Sequence, residues 1–334
     1  MDSHLTIDPE QATNPKEYQQ FSINEVIPDG VLNKFFHNPI EAIQFLTDPK
    51  HSFDEDKIVS MKWKGPIVFV SDMHLQKDIE KSFIKQLKSI AEVSSKDSKT
   101  LLVIAGDMFQ GTNLPENMFQ KEEFRNLWKD LREKCFIVLE SGNHDTNDPR
   151  NPYSQSLHLL KTKGRNDYIT KELLKEICDV YCAHLLLEHE ILAEDPKKYF
   201  VTHGNMLGRV GHDDYPKDSV WSGKLASTAE KFFNGMVSPR LIRSKLEGMG
   251  IQINQRTRNW ASKYLLPGVQ LISGHTHFFE EYNNGINLGS FQSEMPKRIL
   301  LLITKDGIMI PQYIDRGSDQ TTKKFGEAFN ILEG

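Results

Sequence analysis

Nine residues of the types that hold metal ions or move protons fall in five short blocks: Asp72-Met73-His74, Gly106-Asp107, Gly142-Asn143-His144-Asp145, His203-Gly204 and Gly274-His275-Thr276-His277. Asp72 and His74 are two apart in a loop, so both can turn toward one ion, and His275 and His277 stand in the same relation. Asp107 has two oxygens that can serve different ions, Asn143 offers a neutral carbonyl, and His203 adds an imidazole. A lone Asp or His of this kind is most often a cap or a surface group. Seven oxygen and nitrogen donors in ordered blocks are different, because a tetrahedral site takes only about four. They suit two divalent ions about 3.5–4 Å apart, bridged by a carboxylate and a water. With no thiolate in the set, manganese is the expected ion, with iron or zinc as alternatives.

Each block follows an apolar run, at 67–70, 101–105, 136–139, 199–201 and 269–272. Such runs read as short buried strands, and in open α/β sheets ligands bind at the carboxyl ends of the strands. Between the first runs, 79–93 and 122–133 carry a helical apolar period, and 155–190 also reads as mostly helical. This β-α-β order predicts parallel pairing with helices outside. After His277 the period changes to hairpins, at 278–288 around Asn283-Asn284-Gly285 and at 299–314 around Lys305-Asp306-Gly307. The expected fold class is α/β, with two mixed β-sheets packed as a sandwich and flanked by helices.

Residues 1–61 read as an N-terminal extension whose 21–46 stretch forms two short helices on the main body. Residues 62–315 form the main domain, and 316–334 a polar tail. A helical insertion, 205–267, leaves the core just after His203 and returns shortly before His275. From Trp221 to Leu265 it holds eight Lys or Arg against two acids, in a chain of formal charge −5. That local field suits an anionic substrate. Arg209, Arg240 and Arg243 are therefore candidate substrate contacts, and aromatics such as Trp260 and Tyr264 offer apolar contact beyond the phosphate. The bland alternative is that these aromatics hold the insertion's own helices together.

At 334 residues, 38% hydrophobic and 26% charged, the chain can bury a full core and keep a polar surface. Its net negative charge disfavours a dedicated nucleic-acid binder. Cys135, Cys178 and Cys182 are an odd set without framework spacing, which points to a reducing compartment. Cys178 and Cys182, four apart on an expected helix, read as core residues. The first residues lack a signal-peptide pattern, and no apolar run approaches the ~18 residues that span a bilayer. The expectation is a soluble cytoplasmic protein without a transmembrane segment, able to touch a membrane surface peripherally, its oligomeric state open.

In order and spacing, the five blocks resemble those of the calcineurin-like metallophosphoesterase superfamily, over residues 62–315. The resemblance implies that Asp72, His74 and His277 hold one metal and Asn143, His203 and His275 the other, with Asp107 bridging. It places His144 beside the leaving group as general acid or phosphate contact, and Asp145 behind His144 to orient it. The implied activity is hydrolysis of a phosphate ester, rather a phosphodiester or pyrophosphate bond than a monoester, by a metal-bridging water. GDMFQGTN and ESGNHD lack the arginines of the serine/threonine phosphoprotein phosphatases. The insertion is similar in position and composition to that of the branch cleaving the pyrophosphate of UDP-2,3-diacylglucosamine, although that branch commonly has Arg where His144 stands. A lipid-linked or small phosphate-containing substrate is thus expected. A nuclease or nucleotide phosphodiesterase is the alternative, and a metal-binding interaction scaffold the non-enzymatic one.

Overall fold

The computed structural model describes residues 19–22, 28–47, 57–75, 99–109, 122–142, 145, 171–191, 195–205, 207, 254–291, 297–304 and 306–315. In chain order the strands begin with β1 (Gln19–Ser22), β2 (Lys57–Trp63), β3 (Ile67–Val70), β4 (Thr100–Ile104), β5 (Cys135–Glu140), β6 (Val180–Cys182) and β7 (His184–His189). They continue with β8 (Lys197–Thr202), β9 (Val269–Ser273), β10 (Phe279–Tyr282), β11 (Gly285–Leu288), β12 (Lys297–Ile303) and β13 (Met309–Asp315). The described helices are α1 (Asp29–Leu32), α2 (Pro39–Thr47), α3 (Glu122–Lys134), α4 (Lys171–Ile177) and α5 (254–264).

These strands form two sheets, ordered β1-β2-β7-β8-β9-β11-β10 and β13-β12-β3-β4-β5-β6. In the second sheet β3, β4, β5 and β6 are all parallel, and the β12-β13 hairpin closes it antiparallel on β3. In the first, β8, β9 and β11 run parallel to one another. Both sheets are therefore mixed, as the change of period along the chain predicts.

Alternation along the strands assigns the faces, since successive side chains point to opposite sides of a sheet. Ile67, Phe69, Leu101, Val103, Phe136 and Val138 meet Trp63, Leu185, Tyr199, Val201 and Ile272 in one cluster, the core between the sheets. Their neighbours Val68, Val70, Leu102, Ile104, Ile137 and Leu139 face outward against α3. That helix forms because Phe124, Leu127, Trp128 and Leu131 repeat on one face, with Glu122 and Glu123 in its first turn and Arg132 and Lys134 in its last.

A third cluster covers the outer face of the first sheet. Ile58, Leu186, Phe200 and Leu271 pack there against Phe35, Phe36 and Leu46 of the 28–47 segment and against Trp260, Ala261 and Tyr264 of α5. Trp260 stacks on Phe200 with ring centroids 5.4 Å apart and 28° between planes. Trp260 and Tyr264 are thus buried structural residues, which favours the structural alternative over substrate contact. The 28–47 segment carries the two short helices expected of it. It is tied to α5 by main-chain bonds from His37 N to Tyr264 O (2.8 Å) and from Leu266 N to Phe35 O (2.9 Å).

The helical expectation for 155–190 needs correction. Only 171–177 is helical in the described part, and β6 and β7 follow. The run His184–His189 is buried at every position because β7 sits between β2 and β8 with both faces covered. A short apolar run of that kind has no period to distinguish strand from helix. Cys178 and Cys182 lie in different clusters, after α4 and on β6, both as core residues. The expected helix 79–93 and the 316–334 tail fall outside the described residues, as does most of the 205–267 insertion.

The aromatic layer should matter to stability. Phe36→Ala removes a side chain packed edge-on against Phe200 at 5.4 Å, and equilibrium denaturation should show a loss of about 3–5 kcal/mol. His184 supplies a pH term. Buried, with Nδ1 3.0 Å from Thr202 Oγ1, its ring is pushed down to about 3 by burial. The unfolded value is about 6.5. The unfolded chain therefore binds more protons in this window, and stability should rise with pH between about 3 and 6.5. Denaturation of His184→Asn across that range should show a flatter slope than the parent.

Candidate metal centre

Parallel register brings the strand ends level. Val70 lies opposite Ile104, and Ile104 opposite Leu139, so the loops after β3, β4 and β5 leave the second sheet side by side. The first two of these loops go on pairing beyond the strands. Asp72 N donates to Gly106 O (3.1 Å), His74 N to Asp107 O (2.9 Å) and Leu75 N to Met108 O (2.9 Å). From the first sheet, His203 follows β8 and the 274–277 loop follows β9, joined by Gly274 N donating to His203 O (3.0 Å). The loops of the two sheets then close on each other. A Cβ on Gly274 would stand 1.8 Å from Ser71 Oγ, and one on Gly142 would stand 2.1 Å from Asp107 Oδ1. No side chain fits at either position, which explains these two glycines.

The convergence makes two groups of potential ligand atoms. Those of Asp72, His74 and His277 all lie within 4.8 Å of one another, and those of Asp107, His203 and His275 do the same. Asp107 Oδ2 is 3.1 Å from His203 Nε2 and 3.7 Å from His74 Nε2, so the groups adjoin at this oxygen. Asp72, His74, Asp107 and His203 are buried, while His275 and His277 are the partly exposed members, which leaves access on the side of the 274–277 loop.

Three observations show that these residues fit a pair of metal ions. Asp72 Oδ1 is buried without a hydrogen-bond partner, while His277 Nε2 and His74 Nε2 stand 3.1 and 3.6 Å from it. His74 Nε2 and His277 Nε2 are only 3.0 Å apart, an arrangement that needs a proton or a cation between the lone pairs. Finally, positive φ at non-glycine positions occurs, among the described residues, at Asp72 (52°), His74 (44°), Asp107 (51°), His275 (73°) and His277 (60°). Each such residue carries strain of about 1–2 kcal/mol. Its restriction to candidate ligands marks a geometry that serves the site rather than the chain.

The electrostatics agree. Burial opposes the Asp72 carboxylate, yet the charges of His277 and His203 hold it well below the usual carboxylate range. Burial likewise opposes a charged His203, but Asp107 and then Asp72 outweigh it and push the ring up to about 10. The anionic field that draws a proton to His203 is the field that would draw a cation. Its Nδ1 lies 2.9 Å from Ala105 O, and donation there turns Nε2 toward Asp107, where its N–H meets the carboxylate until a cation takes the proton's place. Burial and then the charge on His203 push His275 down, keeping its ring neutral with a lone pair to offer.

Of the residues expected at the site, Asp72, His74, Asp107, His203, His275 and His277 are brought together. Asn143, His144, Arg209, Arg240 and Arg243 lie outside the described residues. Asp145 is buried and accepts three main-chain bonds, from Phe109 N (2.9 Å) to Oδ1 and from Gly142 N (3.0 Å) and Met108 N (3.2 Å) to Oδ2. It knits the 142–145 turn to the loop after β4. Burial and then the Asp107 carboxylate raise its own carboxyl to about 7. Two contributors escaped the sequence reading. Ser71 Oγ donates to Asp72 Oδ2 (2.6 Å), and Asn287 Nδ2 donates to Gly274 O (2.6 Å). Neither stands in a block whose composition marks it.

The calcineurin-like phosphoesterase family model matches residues 65–279, well over half of the chain. No curated protein matches the sequence. Among solved structures, similar ones include a cold-active protein-tyrosine phosphatase of a psychrophilic Shewanella species (14% identity, 75% of this chain and 81% of that one, TM-score 0.33). A 5'-nucleotidase precursor from Thermus thermophilus is also similar (14% identity, 80% and 59%, TM-score 0.32), as is the inner-membrane-complex anchor GAP50 of Plasmodium (15% identity, 76% and 86%, TM-score 0.33). Likeness at that level carries nothing about substrate. No described helix is long and apolar enough to cross a membrane. On the family match and the paired Asp/His clusters, the chain belongs to the calcineurin-like phosphoesterase family and is a metallophosphoesterase-type hydrolase.

Proposed function

We propose that this hydrolase cleaves a phosphodiester or pyrophosphate bond with two divalent ions, manganese being the ion of choice. The observation that carries the dinuclear reading is Asp107, whose Oδ2 lies within 3.7 Å of a histidine from each cluster. The preference against phosphoprotein substrates is supported by the absence of arginine from GDMFQGTN and ESGNHD. The local excess of Lys and Arg in the 205–267 insertion supports an anionic substrate larger than phosphate, such as a sugar nucleotide or a lipid-linked pyrophosphate.

In this reading Asp72, His74 and His277 would hold one ion and Asn143, His203 and His275 the other, with Asp107 a ligand common to both sets. Bound, the ions would supply Lewis-acid polarisation of the phosphoryl group and activation of a water. The chain's own residues do the rest. His203, held by Ala105 O, keeps its Nε2 toward Asp107 and does not rotate away when the site fills. Asp145, accepting from Gly142 N, ties together the two residues that flank Asn143 and His144 in sequence. His144 stands at the leaving group and gives its proton to the departing oxygen, the task of a general acid. Arg209, Arg240 and Arg243 contact the anionic remainder of the substrate, where a planar guanidinium can form two bonds to one phosphate.

Three experiments test this. The purified protein should retain close to two metal equivalents and lose hydrolysis of bis-p-nitrophenyl phosphate on chelation. Asp107→Asn should lower both metal content and rate more than any single-cluster change such as His277→Ala. Two tightly held ions in the Asp107→Asn protein would contradict the spanning role. His144→Ala should keep its metal and lose about 10²–10⁴ in rate on a poor leaving group, with a smaller loss on p-nitrophenol esters. An equal loss on both would make His144 an electrostatic contact and not an acid.

A further inference from the structure

The 274–277 loop supplies one histidine to each cluster, and both His275 (φ 73°) and His277 (φ 60°) stand in the left-handed region that side chains disfavour. Something must hold it. Between the two histidines, Thr276 is buried, and its Oγ1 donates to Asn254 Oδ1 (3.1 Å). The same oxygen accepts from Asn287 Nδ2 (3.2 Å), whose second hydrogen goes to Gly274 O (2.6 Å). One amide oxygen therefore fastens the loop twice, at Thr276 directly and at Gly274 through Asn287.

Asn254 is 2% exposed and begins α5, where the segment leaving the core after His203 re-enters the described fold. The orientation of its amide is set by chemistry. Asn254 Nδ2 donates to Glu280 Oε2 (2.7 Å), and a carboxylate can only accept, so the amide oxygen must face Thr276. Glu280, on β10, is held in turn by an ion pair with Arg258. Arg258 lies four residues after Asn254, on the same face of α5. The helix thus grips Glu280 with two side chains one turn apart, and the grip aims the Asn254 oxygen at the ligand loop. Arg258 also sits over the Tyr282 ring, 5.7 Å from its centroid, which anchors it to the same strand.

We propose that Asn254 is a positioning residue for the metal centre, holding the strained 274–277 loop so that His275 and His277 face their clusters. Through it, α5 is coupled to metal affinity. The inference rests on the dinuclear reading above. It assigns a task to residues that touch neither metal nor substrate. A loop freed of Thr276 and Gly274 would relax toward ordinary φ values, and the two histidines would leave their clusters together.

The test is Mn²⁺ titration of the chelator-stripped full chain, followed by calorimetry, beside the thermal midpoint of the metal-free protein. Asn254→Leu and Thr276→Val should each raise the Mn²⁺ dissociation constant about 10–100-fold, the usual loss when a partner of a ligand is removed. Thr276→Ser keeps the hydroxyl and should restore parental affinity. The double variant should lose no more than the worse single one, since both break one connection. Excess Mn²⁺ should recover hydrolysis of bis-p-nitrophenyl phosphate in the variants. If Asn254→Leu does not fold, Thr276→Val against Thr276→Ser decides. Parental Mn²⁺ affinity in Thr276→Val, with or without a lower thermal midpoint, would overturn the proposal and leave the network a structural one. Asp107→Asn serves as the reference. Should it too bind Mn²⁺ like the parent, the dinuclear reading with Asp107 common to both clusters fails, whereas loss in Asp107→Asn alone refutes only the role of Asn254.

Discussion

Asp72 and Asp107 are buried carboxylates, each facing the histidines of its own cluster with His74 near both, and the surrounding structure is arranged around their charge. An ionised carboxylate removed from water without a counter-charge is strongly unfavourable. Here the imidazoles of His203 and His277 supply that counter-charge, and Ser71 Oγ and the His275 main-chain N–H donate to Asp72 Oδ2. A protein built only for stability would fill such a space with apolar side chains, because buried ion pairs seldom outperform them. Keeping anions, imidazoles and left-handed backbone in one place makes sense when cations are to be held there.

The sandwich is what makes this concentration of charge possible. Parallel β3, β4 and β5 deliver their ends at one level, and parallel β8 and β9 deliver theirs opposite. The apolar core between the sheets then sets the spacing of the two loop sets. Rigid strands absorb the strain of the loops, since each strand end is fixed by pairing on both sides. The glycines at 142 and 274 remove the last steric obstacle, allowing backbone from one loop to touch side chains of another.

Outside the sandwich, the aromatic layer of α1, α2 and α5 serves the site indirectly. Trp260 and Tyr264 anchor α5 to the sheet, while Asn254 and Arg258 of the same helix reach the 274–277 loop and β10. One helix thereby carries an apolar face that fixes its position and a polar face that uses that position. Segment 28–47 contributes by locking α5 down through Phe36, so a stretch with no chemistry of its own supports residues that have it.

How much of this was legible in the sequence depends on the length scale of each signal. The five ligand blocks and the apolar runs before them are local, and they determined the parallel strands and the identity of the metal-type residues, while the change of period and the turn residues after His277 determined the hairpins. Helix α3 was equally plain, because its apolar period spans three turns. β6 and β7 were not, since a run such as His184-Leu185-Leu186-Leu187 is buried on both faces and carries no period. Which histidine joins which carboxylate was equally beyond the residues themselves, for Asp107 meets His203 across the two sheets, ninety-six positions away. The Asn254–Thr276–Asn287 network has no local signature at all, because an Asn in sequence reads first as a turn residue and nothing beside it marks a buried junction. Residue type determined what chemistry the chain can perform. Only the tertiary structure decided which atoms meet, because that is set by sheet register and by the packing of side chains remote in sequence.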